Sequence, residues 1–295
     1  YRCNFLNPND ALFAKIQKLF LDEQKKLFGT DHIYGLDPFN EVDPPSFEPE
    51  YLRKIASDMY ATLTAADPKA QWMQMTWMFY FDKDKWTSER MKALLTGVPQ
   101  NKMILLDYHC ENVELWKRTE HFHNQPYIWC YLGNFGGNTM IAGNLNDIDF
   151  KIKRLFKEGG DNVYGLGATL EGFDVNPLMY EFVFDQAWDY PVTTDQWITN
   201  WSMCRGGNQD ANIIKAWRAL HQKIYTEHAT CGQSVLMNAR PRLTGTKSWN
   251  TNPGIHYANN DLWQIWKELL KARNINNSDF RFDVINIGRQ VLGNL

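Results

Sequence analysis

Along the first two thirds of the chain, apolar positions alternate between two periods. The runs HIYGLDPFN, QWMQMTW, KMILLDY, PYIWCYLGN and VYGLGATL are short, apolar and bounded by polar or glycine-containing stretches. Such runs predict β-strands. Between them, ALFAKIQKLFLDEQKKLF, PEYLRKIASDMYATLTAA, SERMKALLTG, NVELWKRTEHF and the stretch from Asp147 to Lys157 repeat apolar residues at helical spacing. Strand and helix alternating over short links predict a parallel sheet covered by helices.

Five residues are read at the strand ends: Glu41, Trp77, Asp107, Asn134 and Glu171, spaced 36, 30, 27 and 37 positions apart. That is the rhythm of βα units, and parallel strands carry such ends to one rim. Five units do not close an eight-stranded barrel, so the pattern predicts that the earlier strands lie upstream of Tyr1. No glycine-rich phosphate loop follows an early strand, which argues against an open dinucleotide-binding sheet.

After about Tyr190 the strand signal stops. TTDQWITNWSMCRG, NQDANIIKAWRALHQKIYTEH, NNDLWQIWKELLKAR and SDFRFDVINIGRQVLGNL read as amphipathic helices with Thr193, Asn208, Asn259 and Ser278 as polar caps. The expected fold class is α/β, part of a (β/α)8 TIM-like barrel over residues 1–190, followed by an all-α helical domain over residues 191–295. A helical pattern still running at Leu295 predicts that this domain continues.

Composition narrows the function classes. Lys and Arg number 31 against 34 Asp and Glu, a formal charge of -3 without a basic stripe, which disfavours nucleic acid. The five cysteines are scattered and have no zinc or CxxC spacing, and no apolar run is long enough for a bilayer span. No secretory leader is legible in the first residues. Sequons at Asn200 and Asn276 are too common by chance to discriminate. Aromatic residues make up 14 %, with 12 tryptophans, and flat rings of this kind suit stacking on the C–H face of a pyranose as well as core packing.

Two carboxyls converging from separate strands are the apparatus of glycoside hydrolysis: one supplies a proton to the departing oxygen, the other stabilises the cationic ring carbon. Glu41 and Glu171 fit that pattern, and the Asn40 amide beside Glu41 is suited to bonding a sugar substituent. Asp31, His32, Asp37 and the Asp107/His109/Glu111 group compete for roles. The last has alternating donors but no second cluster, so no metal is expected. His121 and His123 read as solvated. NFGGN, Asn134 to Asn138, combines paired glycines with asparagines, which serves either a close ligand approach or a tight turn. GTKSWNTNPGIHYANN, holding Trp249, His256 and Tyr257, is either a pocket loop or a helix connector. No G-x-S-x-G sequence supports serine catalysis.

FGTDHIYGLDPFNEVDPPSFEP, QWMQMTW, QPYIWCYLGNFGGN, the TLEG stretch and RPRLTGTKSWNTNPGIHYANNDLWQIW together resemble glycoside hydrolase family 89, the α-N-acetylglucosaminidases, over nearly the whole chain. The resemblance implies a retaining exo-hydrolase removing terminal α-linked N-acetylglucosamine from a glycan. Glu41 would be its general acid/base and Glu171 its nucleophile. Asn40, Trp77, Trp129, Asn134, His256 and Tyr257 would be substrate-binding residues, and no cofactor would be required. It further implies an extracytoplasmic setting, secreted or periplasmic, or lysosomal in a eukaryote. The alternative is a non-catalytic carbohydrate-binding fragment of such an enzyme. Oligomeric state is not legible.

Overall fold

The strand and helix patterns resolve as follows in a computed structural model that describes residues 6–8, 10–133, 140–171, 176–188, 192–228, 255–273 and 276–295. The opening helix α1 (Ala11–Phe28) starts at Asp10, whose carboxylate accepts the Leu12 N–H at 2.8 Å, and leads to strand β1 (Ile33–Gly35). Helix α2 (Pro49–Ala66), strand β2 (Gln71–Met75), the short α3 (Trp77–Phe81), α4 (Ser88–Thr96) and strand β3 (Met103–Asp107) follow. A 3-10 turn (Leu115–Lys117) and a four-residue segment α5 (Glu120–His123) precede β4 (Tyr127–Tyr131). Then come β5 (Gly143–Asn144), α6 (Leu145–Glu158) and β6 (Val163–Ala168).

β1, β2, β3, β4 and β6 form one sheet in that order, with the β1–β2, β2–β3 and β3–β4 pairs parallel. Parallel strands covered on both faces lose the simple in/out alternation, and β3 is accordingly buried at Met103, Ile104, Leu105 and Asp107. Helix α2 buries Leu52, Ile55, Ala56, Met59 and Leu63, the spacing of a single helical stripe. Gly97, just past α4, lets that helix approach α2: a Cβ there would lie 2.4 Å from the Arg53 carbonyl oxygen.

The chain packs as two units, Tyr1–Cys130 with Phe156–Gly167, and Tyr131–Leu155 with Ala168–Leu295. Helices of the second include α7 (Pro177–Asp185), α8 (Thr194–Gly206), α9 (Ala211–Lys223), α10 (Asn259–Leu269) and α11 (Ser278–Gly293), and β7 (Thr226–Glu227) pairs antiparallel with β5. Helix α8 opens with a capping box between Thr193 and Gln196. Trp201 meets Trp217 of α9 edge-on at 4.5 Å, and Arg205 forks onto the buried Asp283 of α11 at 2.6 and 3.0 Å.

The architecture agrees with the expected α/β class with a following helical part, and three details differ. The first predicted strand is regular only over Ile33–Gly35, so Glu41 lies in the loop six residues beyond it rather than at the strand's end. NVELWKRTEHF is not a continuous helix. Both oxygens of the buried Asp107 carboxylate are taken, by the Leu115 and Trp116 N–H groups at 3.2 and 3.1 Å. This ties the turn to the end of β3, and Glu120 to Asn124 then run at positive φ. Among the helix caps, Thr193 holds. Asp210 and Asn277 displace Asn208 and Ser278 because their side chains reach the Asn212 and Asp279 N–H groups at 2.8 Å. Asn259 is the first residue of α10, preceded by Ala258 at the cap.

Candidate active site

In the first unit, chemistry gathers beyond the C-terminal ends of β1, β2 and β3. The loop that leaves β1 is hooked to the following strand and helix by three donors in succession. Trp72 Nε1 donates to the Leu36 carbonyl at 2.7 Å, Gln74 Nε2 to Asp37 Oδ1 at 2.6 Å, and Trp77 Nε1 to Glu41 Oε1 at 3.2 Å. Trp72 and Gln74 share a face of β2 because side chains alternate along a strand, and both are fully buried. Trp77 opens α3 just past the strand. A surface ion pair, Lys85 Nζ to Asp43 Oδ1 at 2.6 Å, holds the same loop farther on.

Glu41 is exposed, and the ring that bonds it sits in an aromatic group. Trp77 stacks on Phe81 at 5.6 Å and leans on Tyr80 at 5.0 Å and Tyr108 at 5.3 Å, while Tyr80 meets His109 edge-on at 5.7 Å. Beside them, the Asn40 Oδ1 and Gln74 Oε1 atoms are buried without a hydrogen-bond partner among the described residues. A buried acceptor left unmatched costs about 1–3 kcal/mol, so such atoms mark places where a donor from water or ligand is favoured. Burial raises the Asp37 carboxyl to about 6, opposed by the Gln74 amide. Asp37 keeps an open side to solvent, which screens that effect. Carboxylates, an indole and amide oxygens on one edge are the groups that bond hydroxyls and move protons.

The other predicted residues are placed as follows. Glu171 is exposed in the second unit, three residues past β6, where the Thr169 N–H bonds the Tyr131 carbonyl at 3.1 Å. His256 Nε2 bonds the Ile224 carbonyl at 2.9 Å and its ring meets the buried Tyr257 edge-on at 4.9 Å. Asn134, with the rest of NFGGN, lies outside the described residues, as does Trp249. Trp129 is a correction. It has 0 % exposure, and its indole N–H is taken by Glu114 at 3.2 Å, the same carboxylate oxygen that accepts Trp116. A ring with no accessible face has nothing to stack on a sugar, so it serves the core.

Among the competitors, His32 sits before β1, at its opposite end, where Nδ1 pairs with Asp67 at 2.7 Å. It is close to Glu41 in sequence and remote along the strand. Asp107 is committed to the turn described above, and no group of three or more His, Cys, Asp or Glu side chains suited to a metal forms among the described residues. His121 and His123 are half-buried rather than solvated, the first stacked on Trp116 at 5.4 Å. Tyr80, Tyr108 and Gln74 join the group only in the structure. The alternation in QWMQM, which puts a glutamine on the same face as a tryptophan, was the available signal for Gln74.

Comparison with known proteins assigns the two segments. The profile of the alpha-N-acetylglucosaminidase (NAGLU) tim-barrel domain matches residues 1–190, and that of the NAGLU C-terminal domain matches residues 197–295. Human alpha-N-acetylglucosaminidase is 34% identical over 302 residues, covering 100% of this chain and 40% of its own length. The chain thus spans about two fifths of that curated relative. A family 89 glycoside hydrolase from Clostridium perfringens in complex with PUGNAc superposes with a TM-score of 0.80 at 24% identity, over 99% of this chain and 32% of that one. A glutamate-to-glutamine double variant, CpGH89 from the same organism, in complex with its substrate GlcNAc-alpha-1,4-galactose, gives the same TM-score at 22% identity. At those identities the structural likeness speaks for the fold. No helix among the described residues is long and apolar enough to cross a membrane. On the match of the barrel and C-terminal profiles, and the identity to the human protein, the chain belongs to the alpha-N-acetylglucosaminidase (NAGLU) family.

Proposed function

We propose that this chain carries the later barrel strands, residues 1–190, and the helical domain, residues 191–295, of a retaining α-N-acetylglucosaminidase that removes terminal α-linked N-acetylglucosamine from a glycan. The observation that carries the reading is Glu41, bonded by the Trp77 indole beside an aromatic wall at the C-terminal edge of a parallel sheet, where β/α barrels do their chemistry. The name of the human relative supplies the substrate class. The same kinship favours an extracytoplasmic site of action.

The stereochemistry of the substrate explains why an enzyme carboxylate is needed. In a β-linked N-acetylhexosamine, the acetamido oxygen can attack C1 from the face opposite the leaving group. In the α-linked sugar, the 2-acetamido group and the leaving oxygen are cis, so that self-assistance is blocked and a protein nucleophile takes its place. In the first step Glu171 carboxylate forms a bond to C1 as the C1–O bond breaks, and the Glu41 carboxyl gives its proton to the departing oxygen. In the second, Glu41 carboxylate takes a proton from water, the water oxygen bonds to C1, and the ester to Glu171 breaks. Two inversions give net retention, a course that calls for carboxyls about 5–5.5 Å apart.

The test is hydrolysis of α- and β-linked aryl N-acetylglucosaminides by the polypeptide carrying this chain, with the first-formed sugar followed by proton NMR. Turnover of the α-substrate alone with the α-anomer appearing first supports the proposal. A β-anomer product, or turnover that survives Glu171→Gln, overturns it. The second reading is a carbohydrate-binding piece without turnover. Sugar binding in the absence of any hydrolysis would select it.

A further inference from the structure

Helices α7 and α8 of the second unit border a cavity, half open to solvent, of about 420 Å³ lined by Glu181, Asp185, Trp188, Trp197, Asn200 and Trp201. It is within the size range of small-ligand pockets. We infer that this cavity of the second unit is a carbohydrate-binding site, taking one pyranose unit of a neutral glycan through the Trp188 face and the Glu181 and Asp185 carboxylates.

The helical period sets the arrangement. Glu181, Asp185 and Trp188 are separated by four and three residues, so they lie along one face of α7 and the turn that follows it, and all three are exposed. Trp188 is 77 % exposed, and its backbone N–H is bonded to the Asp185 carbonyl at 3.2 Å, which fixes the ring's point of attachment. An indole this open beside a cavity offers an apolar face of the kind that sugar C–H groups cover.

The carboxylates are held as acceptors. Trp201 Nε1 donates to Glu181 Oε2 at 2.5 Å, and Trp197 Nε1 donates to Asp185 Oδ2 at 2.8 Å. The two indoles that orient them are themselves buried and stacked at 5.9 Å, so the acceptors are positioned before any ligand arrives. Fixed acceptors with the Asn200 amide nearby suit an array of sugar hydroxyls, each a donor and an acceptor. A sulfated or carboxylated sugar would meet two like charges. A cation is less favoured, because Arg205 lies 3.6 Å from Glu181 Oε1 and over the Trp201 ring, already supplying positive charge at that end.

The site stands independently of the catalytic reading, and its test keeps the two apart. The probe is N-acetyllactosamine, a neutral disaccharide whose terminal galactose is β-linked, so the proposed hydrolysis does not consume it. Titration of the wild-type polypeptide, followed by calorimetry and tryptophan fluorescence, is expected to give saturable binding that Trp188→Ala weakens by about tenfold, the scale of one lost aromatic contact. Asp185→Asn should weaken it several-fold while leaving the fold intact. Hydrolysis of an aryl α-N-acetylglucosaminide should keep its kcat/KM in both variants. Absence of saturable binding, or binding unchanged in both variants, overturns the inference. So does a trimethyllysine peptide that binds more tightly than the disaccharide and is lost in the same variants.

Discussion

Replacing Trp77 by phenylalanine isolates the contact on which the Glu41 assignment rests. The substitution removes the indole N–H that reaches Glu41 Oε1 at 3.2 Å and leaves an aromatic ring to pack against Tyr80, Phe81 and Tyr108. A hydrogen bond to a charged acceptor contributes roughly 1.5–3 kcal/mol net. This one is at the long end of the range and open to solvent, so a contribution nearer 1 kcal/mol is the reasonable expectation. If the bond orients Glu41 for proton transfer, kcat/KM should fall about five- to tenfold. The loss should also depend on the leaving group. Dinitrophenolate departs without a proton, whereas a sugar alkoxide does not. Steady-state kinetics with 2,4-dinitrophenyl α-N-acetylglucosaminide and with an alkyl or disaccharide α-N-acetylglucosaminide therefore form the assay. A small effect is expected on the first and the full effect on the second, with thermal stability nearly unchanged. Equal losses on both substrates, or none on either, would refute that role of the bond.

Three further outcomes follow from the packing and the buried charges. Gly97→Ala places a methyl group 2.4 Å from the Arg53 carbonyl oxygen and 2.9 Å from the Ala56 Cβ, so chemical denaturation should register a loss of about 1–3 kcal/mol. Trp129→Phe removes the N–H bonded to Glu114 in a fully buried site; it should lower stability by a comparable amount and leave KM for a small substrate unaltered, whereas a KM change at unchanged stability would reinstate Trp129 as a ligand contact. Burial raises the Asp107 carboxyl from 3.8 to about 7, which means the folded state keeps a proton that the unfolded chain has shed. Its contribution is thus fully present below about pH 4 and lost as pH rises through 7, on the order of 4 kcal/mol in all, and Asp107→Asn should flatten that slope relative to wild type in urea titrations across this window.

What the sequence disclosed, and what it hid, follow a physical division. β2, β3, β4 and β6 and the long helices were legible because their periods persist over several turns or residues and are bounded by polar segments. The first strand was over-read because the apolar residues of HIYGLDPFN continue after pairing stops at Gly35; Phe39 is buried by the loop, not by the ladder. The stretch around Leu115 was misread because its conformation is set by Asp107, eight residues away and on another element, a tertiary constraint that no local period encodes. Glu41 and Trp77 were both singled out, yet the bond between them was not foreseeable from their spacing. Trp129 shows the limit of reading aromatics: an indole a few residues before an asparagine- and glycine-rich stretch looks the same in sequence whether its face is covered or open.

The most direct measurement of the central claim is trapping of the glycosyl-enzyme. Incubation with 5-fluoro-α-N-acetylglucosaminyl fluoride, which slows hydrolysis of the intermediate more than its formation, followed by proteolysis and peptide mass spectrometry, should place one fluorosugar on Glu171. The same label should accumulate, and not move, when Glu41 is replaced by alanine. A label on Asp37, Glu41 or any other side chain, or turnover of the reagent with no label at all, would contradict the account.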